Sequence, residues 1–120
     1  AIVMASTITT TTNTTKHQSN YDAVVSNACF ANFYDTEGLV DAMTMALRPG
    51  TGSLFITHPL GASFVQKLHD ENSMTVPHTL PSRERFEDLV DRRPLDLVDF
   101  QEEIVGSTKV YFASAKRKGL

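Results

Sequence analysis

A chain of 120 residues that is 41% hydrophobic has the material for one domain with a modest core and leaves little room for a second. Its 14 acidic and 11 basic residues are spread along the chain and sum to a formal charge of -3, so no basic face advertises nucleic acid or anionic lipid. No apolar stretch approaches the ~18 to 20 residues of a membrane span, and the single Cys29 excludes an internal disulfide and suits a reducing, intracellular compartment.

The chain opens on a polar, low-complexity run. Thr7 to Thr15 is dominated by threonine, which cannot bury enough apolar area to fix itself in a core, so residues 1–20 are expected to form a flexible lead-in. Hydroxyl residues without acids before Asp22 are also the composition of a plastid transit remnant, although one Lys and no Arg fit that poorly. Asn13-Thr14-Thr15 matches a glycosylation acceptor without any secretory h-region beside it.

Regular structure is expected from Tyr21. Ala23, Val24 and Val25 form an unbroken apolar run, the pattern of a strand covered on both faces. Asp35 or Thr36 then caps a helix whose apolar positions Leu39, Val40, Met43 and Leu47 make one stripe, and Arg48-Pro49-Gly50 stops it. Ser53 to Thr57 supplies a second strand around Leu54, Phe55 and Ile56, so the segment has the size of a βαβ unit with parallel strands and a right-handed crossover. Ala62, Phe64, Val65 and Leu68 predict a helix ending before Asn72, and a loop over residues 75–82 follows. Ser82 caps a further helix with Glu84 and Glu87 in its first turns, Phe86, Leu89 and Val90 as its stripe, and Arg92-Arg93 before Pro94. Leu95 to Phe100 and Thr108 to Ala115 close the chain as an antiparallel pair around Gly106, with Lys116, Arg117 and Lys118 starting a solubilising tail over residues 116–120.

In "YDAVVSNACFANFYD", "ALRPGTGSLFITHPLG" and the late hairpin, residues 21–115 resemble the C-terminal half of a class I S-adenosylmethionine-dependent methyltransferase. That family commonly opens its fourth strand on "FD", turns through "LKPGG" before its fifth, and ends on a hairpin that puts one reversed strand into the sheet. Here the turn Leu47-Arg48-Pro49-Gly50-Thr51-Gly52 is one residue longer than usual. The resemblance implies an α/β fold, a partial Rossmann-like sheet of parallel strands with a C-terminal antiparallel hairpin. The family's Gly-rich loop and acidic second-strand end have no counterpart, since the earliest glycine is Gly38, and the chain reads as half of a catalytic domain. Such a half is expected to be inactive alone and either to self-associate or to require its N-terminal half.

Ligands of open parallel sheets bind beyond the carboxyl ends of the strands, which puts Asn27 to Phe30 at a candidate site. By resemblance, Asn27, Ala28 and Cys29 would line the methionine side of the S-adenosylmethionine pocket. Asn27 can equally satisfy the turn backbone, and Phe30 and Phe33 can be core rather than platforms for a flat ring. His58 follows the other strand and either accepts a proton from the nucleophile or is a turn histidine bonded to backbone beside Pro59. Phe30, Tyr34 and His78 are expected on the side of a small-molecule acceptor, and His69 near a helix end complements the dipole. The histidine spacings and the lone Cys29, which has no base beside it in sequence, leave no metal site and no thiol nucleophile to predict. The reading that competes with an enzyme is a non-catalytic Rossmann-like module whose exposed first strand recruits a partner.

Overall fold

The computed structural model describes residues 9–10, 21–105 and 108–119. Its strands are β1 (Thr9–Thr10), β2 (Tyr21–Asn27), β3 (Ser53–His58), β4 (Leu95–Val105) and β5 (Thr108–Arg117). Its helices are α1 (Thr36–Ala46), α2 (Gly61–Glu71) and α3 (Arg83–Asp91). Apart from Thr9–Thr10, the threonine-rich lead-in, the Asn13 acceptor pattern and the Gly106 turn lie outside the described residues. The caps follow from side-chain chemistry. Asp35 accepts the Gly38 N–H at 2.8 Å to start α1, and Ser82 accepts the Arg85 N–H at 3.2 Å to start α3.

The five strands form one sheet in the order β1-β2-β3-β5-β4. β2 and β3 are parallel, with Val24 opposite Leu54 and Ser26 opposite Ile56. β5 runs antiparallel to both β3 and β4, so the last strand of the chain is the reversed one and sits inside the sheet. Three expectations are corrected. β4 continues past Phe100 to Val105, because its hairpin partner β5 carries the ladder on through polar residues. β5 continues past Ala115, and Lys116 and Arg117 pair with Ser53 and Leu95 instead of opening a tail. The outer edge of β2 is also not bare at its start, since Thr9 and Thr10 pair with Ala23 and Tyr21.

Burial alternates along β2 and β3 rather than covering both faces. Val24, Ser26, Leu54, Ile56 and His58 are buried, whereas Ala23, Val25, Ser53, Phe55 and Thr57 are half-buried. The apolar stripes of α1 and α3 join Val65 of α2, Val24, Leu54, Ile56, Ala113 and Ala115 in one core, so the helices cover a single face. The opposite face carries Val25, Phe55 and Phe112, with the two rings 5.8 Å apart, and no helix lies over it among the described residues.

The turn between α1 and β3 is held from the far end of the chain. The Arg117 guanidinium donates to the Leu47 carbonyl at 2.7 Å, and the Arg117 N–H donates to the Gly52 carbonyl at 2.8 Å. Gly50 takes a left-handed backbone (φ 85°), and Gly52 N–H folds back to the Arg48 carbonyl at 2.8 Å. A Cβ on Gly52 would stand 2.8 Å from the Arg48 nitrogen and 2.8 Å from the Leu47 Cβ, both fixed atoms. Gly52→Ala is therefore expected to destabilise by about 1 to 3 kcal/mol, read as a lower midpoint in chemical denaturation, with Thr51→Ala nearly neutral because Thr51 is exposed.

Candidate functional site

β2 and β3 end side by side at the carboxyl edge of the sheet. β2 stops because Ala28 takes a left-handed backbone (φ 61°), from which its N–H donates to the Thr57 carbonyl at 2.9 Å. A non-glycine residue in that region costs about 1 to 2 kcal/mol, and such positions concentrate at functional sites. The chain then enters a 3-10 turn, Phe30–Asn32. Asn27 is exposed, and its Oδ1 accepts the Thr57 hydroxyl at 2.7 Å, which leaves the amide nitrogen without a partner among the described residues. Cys29 is buried, with Sγ 3.2 Å from the Ser26 Oγ, so the thiol belongs to the interior and only its backbone is near the edge.

His58 ends β3 at 8% exposure, with the Phe64 ring 5.7 Å away. Its Nδ1 accepts the Leu60 N–H at 3.1 Å. A backbone N–H can only donate, so the neutral ring carries its proton on Nε2. Burial holds the His58 pKa below the ordinary histidine value, which keeps the ring neutral. To take a proton in this tautomer His58 would have to give up the Leu60 contact.

Two cavities flank this edge. One of about 500 Å³ is lined by Asn27, Thr57, His58, Asp99, Gln101 and Phe112. The other, of about 550 Å³, lies on the helical side and is lined by Phe30, Thr36, His78, Leu80, Arg85 and Glu102, among others. The predicted site residues thus divide: Asn27 and His58 share the first cavity, and Phe30 and His78 share the second. Ala28 sits at the turn of the chain between them. Phe30, at 2% exposure, is both core and cavity wall. Tyr34 is 72% exposed and lines neither cavity.

Tyr34 instead joins two loops. Its hydroxyl donates to the Met74 carbonyl at 2.8 Å, and its carbonyl accepts from His78 Nε2 at 2.7 Å. Asn32 Nδ2 donates to the Thr75 carbonyl at 3.1 Å, and the His78 N–H donates to the Ala31 carbonyl at 3.2 Å. His69, in the last turn of α2, donates from Nδ1 to the Val76 carbonyl at 2.7 Å and holds the same loop. Thr36, Arg85, Asp99 and Glu102 were not signalled by the sequence. Thr36 entered only as one of two candidate helix caps, Arg85 falls in the first turn after the Ser82 cap, and Glu102 falls beyond the expected end of its strand. Among the described residues no cluster of His, Cys, Asp and Glu has the arrangement of a metal site, and no helix is long and apolar enough to cross a membrane.

No family model and no curated protein matches the sequence. Solved structures do match the fold. A chain from the complex between the Haloferax volcanii Trm112 methyltransferase activator and the putative methyltransferase aligns at TM-score 0.68 and 10% identity, over 90% of this chain and 58% of that chain. OxaC, solved with sinefungin and meleagrin, aligns at TM-score 0.59 and 16% identity, over 81% of this chain and 26% of that one. A SAM-dependent methyltransferase from Thermotoga maritima aligns at TM-score 0.57 and 13% identity, over 88% of this chain and 60% of that one. The chain has the fold of part of a class I methyltransferase domain, and it spans between 26% and 60% of the length of these three chains.

Proposed function

We propose that this chain supplies the C-terminal wall of a site for S-adenosylmethionine-dependent methyl transfer to a small-molecule acceptor, within a larger catalytic domain and without activity on its own. The observation that supports this most is the left-handed Ala28 turn at the carboxyl edge of a sheet of methyltransferase order, hooked to β3 beside His58. The residues fit one end of the cofactor: Asn27 offers an open amide donor, Ala28 is small, and Cys29 turns its thiol inward to Ser26 while its carbonyl holds the turn by accepting the Asn32 N–H at 3.0 Å. When bound, the cofactor supplies an electrophilic methyl group. Displacement at such a carbon gains chiefly from alignment. His58 serves that alignment as a neutral donor through Nε2–H, with proton acceptance a secondary role that requires release of Leu60. Phe30, Tyr34 and His78 lie on the acceptor side of this reading.

Calorimetry of the chain alone with S-adenosylmethionine is expected to give no heat at sub-millimolar cofactor, because one wall does not make a pocket. A well-defined micromolar Kd would overturn the half-site. In a polypeptide carrying a Gly-rich strand, loop and helix ahead of Tyr21, Asn27→Ala is expected to raise the cofactor KM more than His58→Ala does. A His58→Ala variant that loses rate about a thousandfold at unchanged cofactor affinity would instead make His58 the base.

A further inference from the structure

The cavity on the helical side carries two charges of opposite sign that do not meet. Glu102 lines it without an ion pair among the described residues. Arg85 lines it with one partner, Glu37 at 2.8 Å, and that carboxylate is shared with Arg92 and Arg93. Arg92 has a second carboxylate in Asp88 and Arg93 a second in Asp41, so Arg85 is the least compensated of the three. Neutral groups stand open in the same cavity. Thr36 is only 8% exposed, and its hydroxyl has no partner among the described residues. His78 spends Nε2 on the Tyr34 carbonyl and so keeps the lone pair of Nδ1. A buried hydroxyl left unpaired is destabilising, and a ligand atom at that position removes the cost.

Apolar surface from Phe30 and Leu80 lies among these groups, and about 550 Å³ suits a small molecule. The loop that carries His78 is pinned by its bond to Ala31 and by the Tyr111 hydroxyl, which donates to the Pro81 carbonyl at 2.7 Å, so the cavity is formed before any ligand arrives.

We infer that this cavity binds an amino-acid-like zwitterion with an apolar body, its carboxylate on Arg85, its ammonium on Glu102, and Thr36 and His78 taking the remaining hydrogen bonds. Calling that ligand the methyl acceptor rests on the function proposed above; the binding itself does not.

The test uses the chain without cofactor and three probes in NMR titration: L-phenylalanine, 2-phenylethylamine and 3-phenylpropionate. L-Phenylalanine is expected to shift the resonances of Thr36, His78 and Arg85, and each single-charge analogue to bind at least about tenfold more weakly, a difference of about 1.4 kcal/mol. Arg85→Gln and Glu102→Gln should each weaken L-phenylalanine about tenfold, Arg85→Lys should recover part of the loss, and Arg83→Gln should change nothing. Thermal unfolding of each variant confirms that it is folded. No saturable L-phenylalanine binding below ~10 mM, equal binding of the three probes, or indifference to both charge variants would overturn the assignment. Binding of L-phenylalanine in a full-length parent that never methylates it would leave the cavity assigned and remove only its link to methyl transfer.

Discussion

Replacing Phe86 with alanine is expected to remove about 3 to 5 kcal/mol of stability, enough to unfold a chain near the low end of the ~5 to 15 kcal/mol range of small domains. Phe86 is 1% exposed on α3, and its ring stands 6.1 Å from Phe100, which meets Tyr111 edge-on at 5.4 Å. These three rings join α3 to both strands of the hairpin, so truncation leaves a cavity where the helix meets them. This chain belongs at the low end because, among the described residues, helices cover one face of its sheet. Chemical denaturation followed by circular dichroism reads the loss. The comparison is Phe64→Ala, at 38% exposure, whose midpoint should move little. An unchanged midpoint for Phe86→Ala would remove that ring from the core.

The second large effect is electrostatic and depends on pH. Glu37 accepts from Arg92 at 2.8 and 3.0 Å, from Arg93 at 2.8 Å and from Arg85 at 2.8 Å. Hydrogen bonds from Arg92 and then Arg93 lower its pKa from 4.5 to about 2. A carboxylate whose folded pKa lies below its unfolded value stabilises fully above the unfolded pKa and loses that contribution as pH falls through the folded one. The Tm difference between wild type and Glu37→Gln should therefore be constant above about pH 5, shrink from about pH 4.5 downward and vanish only below about pH 2. Arg93, at 8% side-chain exposure, loses a charge-assisted partner in Glu37→Gln, for an expected cost of about 1 to 3 kcal/mol. Added salt should reduce the difference, since the Glu37 side chain is 36% exposed. A difference that stays flat down to pH 2 would show that Glu37 is not held this way.

The sequence made some of this plain and hid the rest for identifiable reasons. α1 and β3 were legible because an apolar stripe at helical spacing, a hard stop at Pro49-Gly50 and a short apolar run are local signals. The last part of β4 was not, since Gln101 and Glu102 are exposed and polar, and only pairing with β5 makes them strand. Lys116 and Arg117 looked like a solvated tail for the same reason. Their places are set by Ser53, Leu95 and Leu47, far away in sequence. Asn27 and His58 could be placed because strand ends follow from the element order. His58 also bonds backbone just after Pro59, one of the two readings its position allowed. The cavity of Thr36, Arg85 and Glu102 draws on two helices and a strand, and no local pattern announces groups that become neighbours only on folding.

The reversed position of β5 also bears on how the chain is made. Synthesis proceeds from the amino end, so β2, β3, the helices and β4 all leave the ribosome before the strand that joins β3 to β4 exists. Until residues 108–117 emerge, β4 has no place in the sheet, and the ring cluster around Phe86 lacks Tyr111. A nascent chain stalled anywhere before that point holds an incomplete core and an open ladder, the kind of species that chaperones and proteases recognise. Completion of this fold therefore waits for residues 108–117, and a product lacking them would be cleared by quality control rather than persist as a slightly shorter protein.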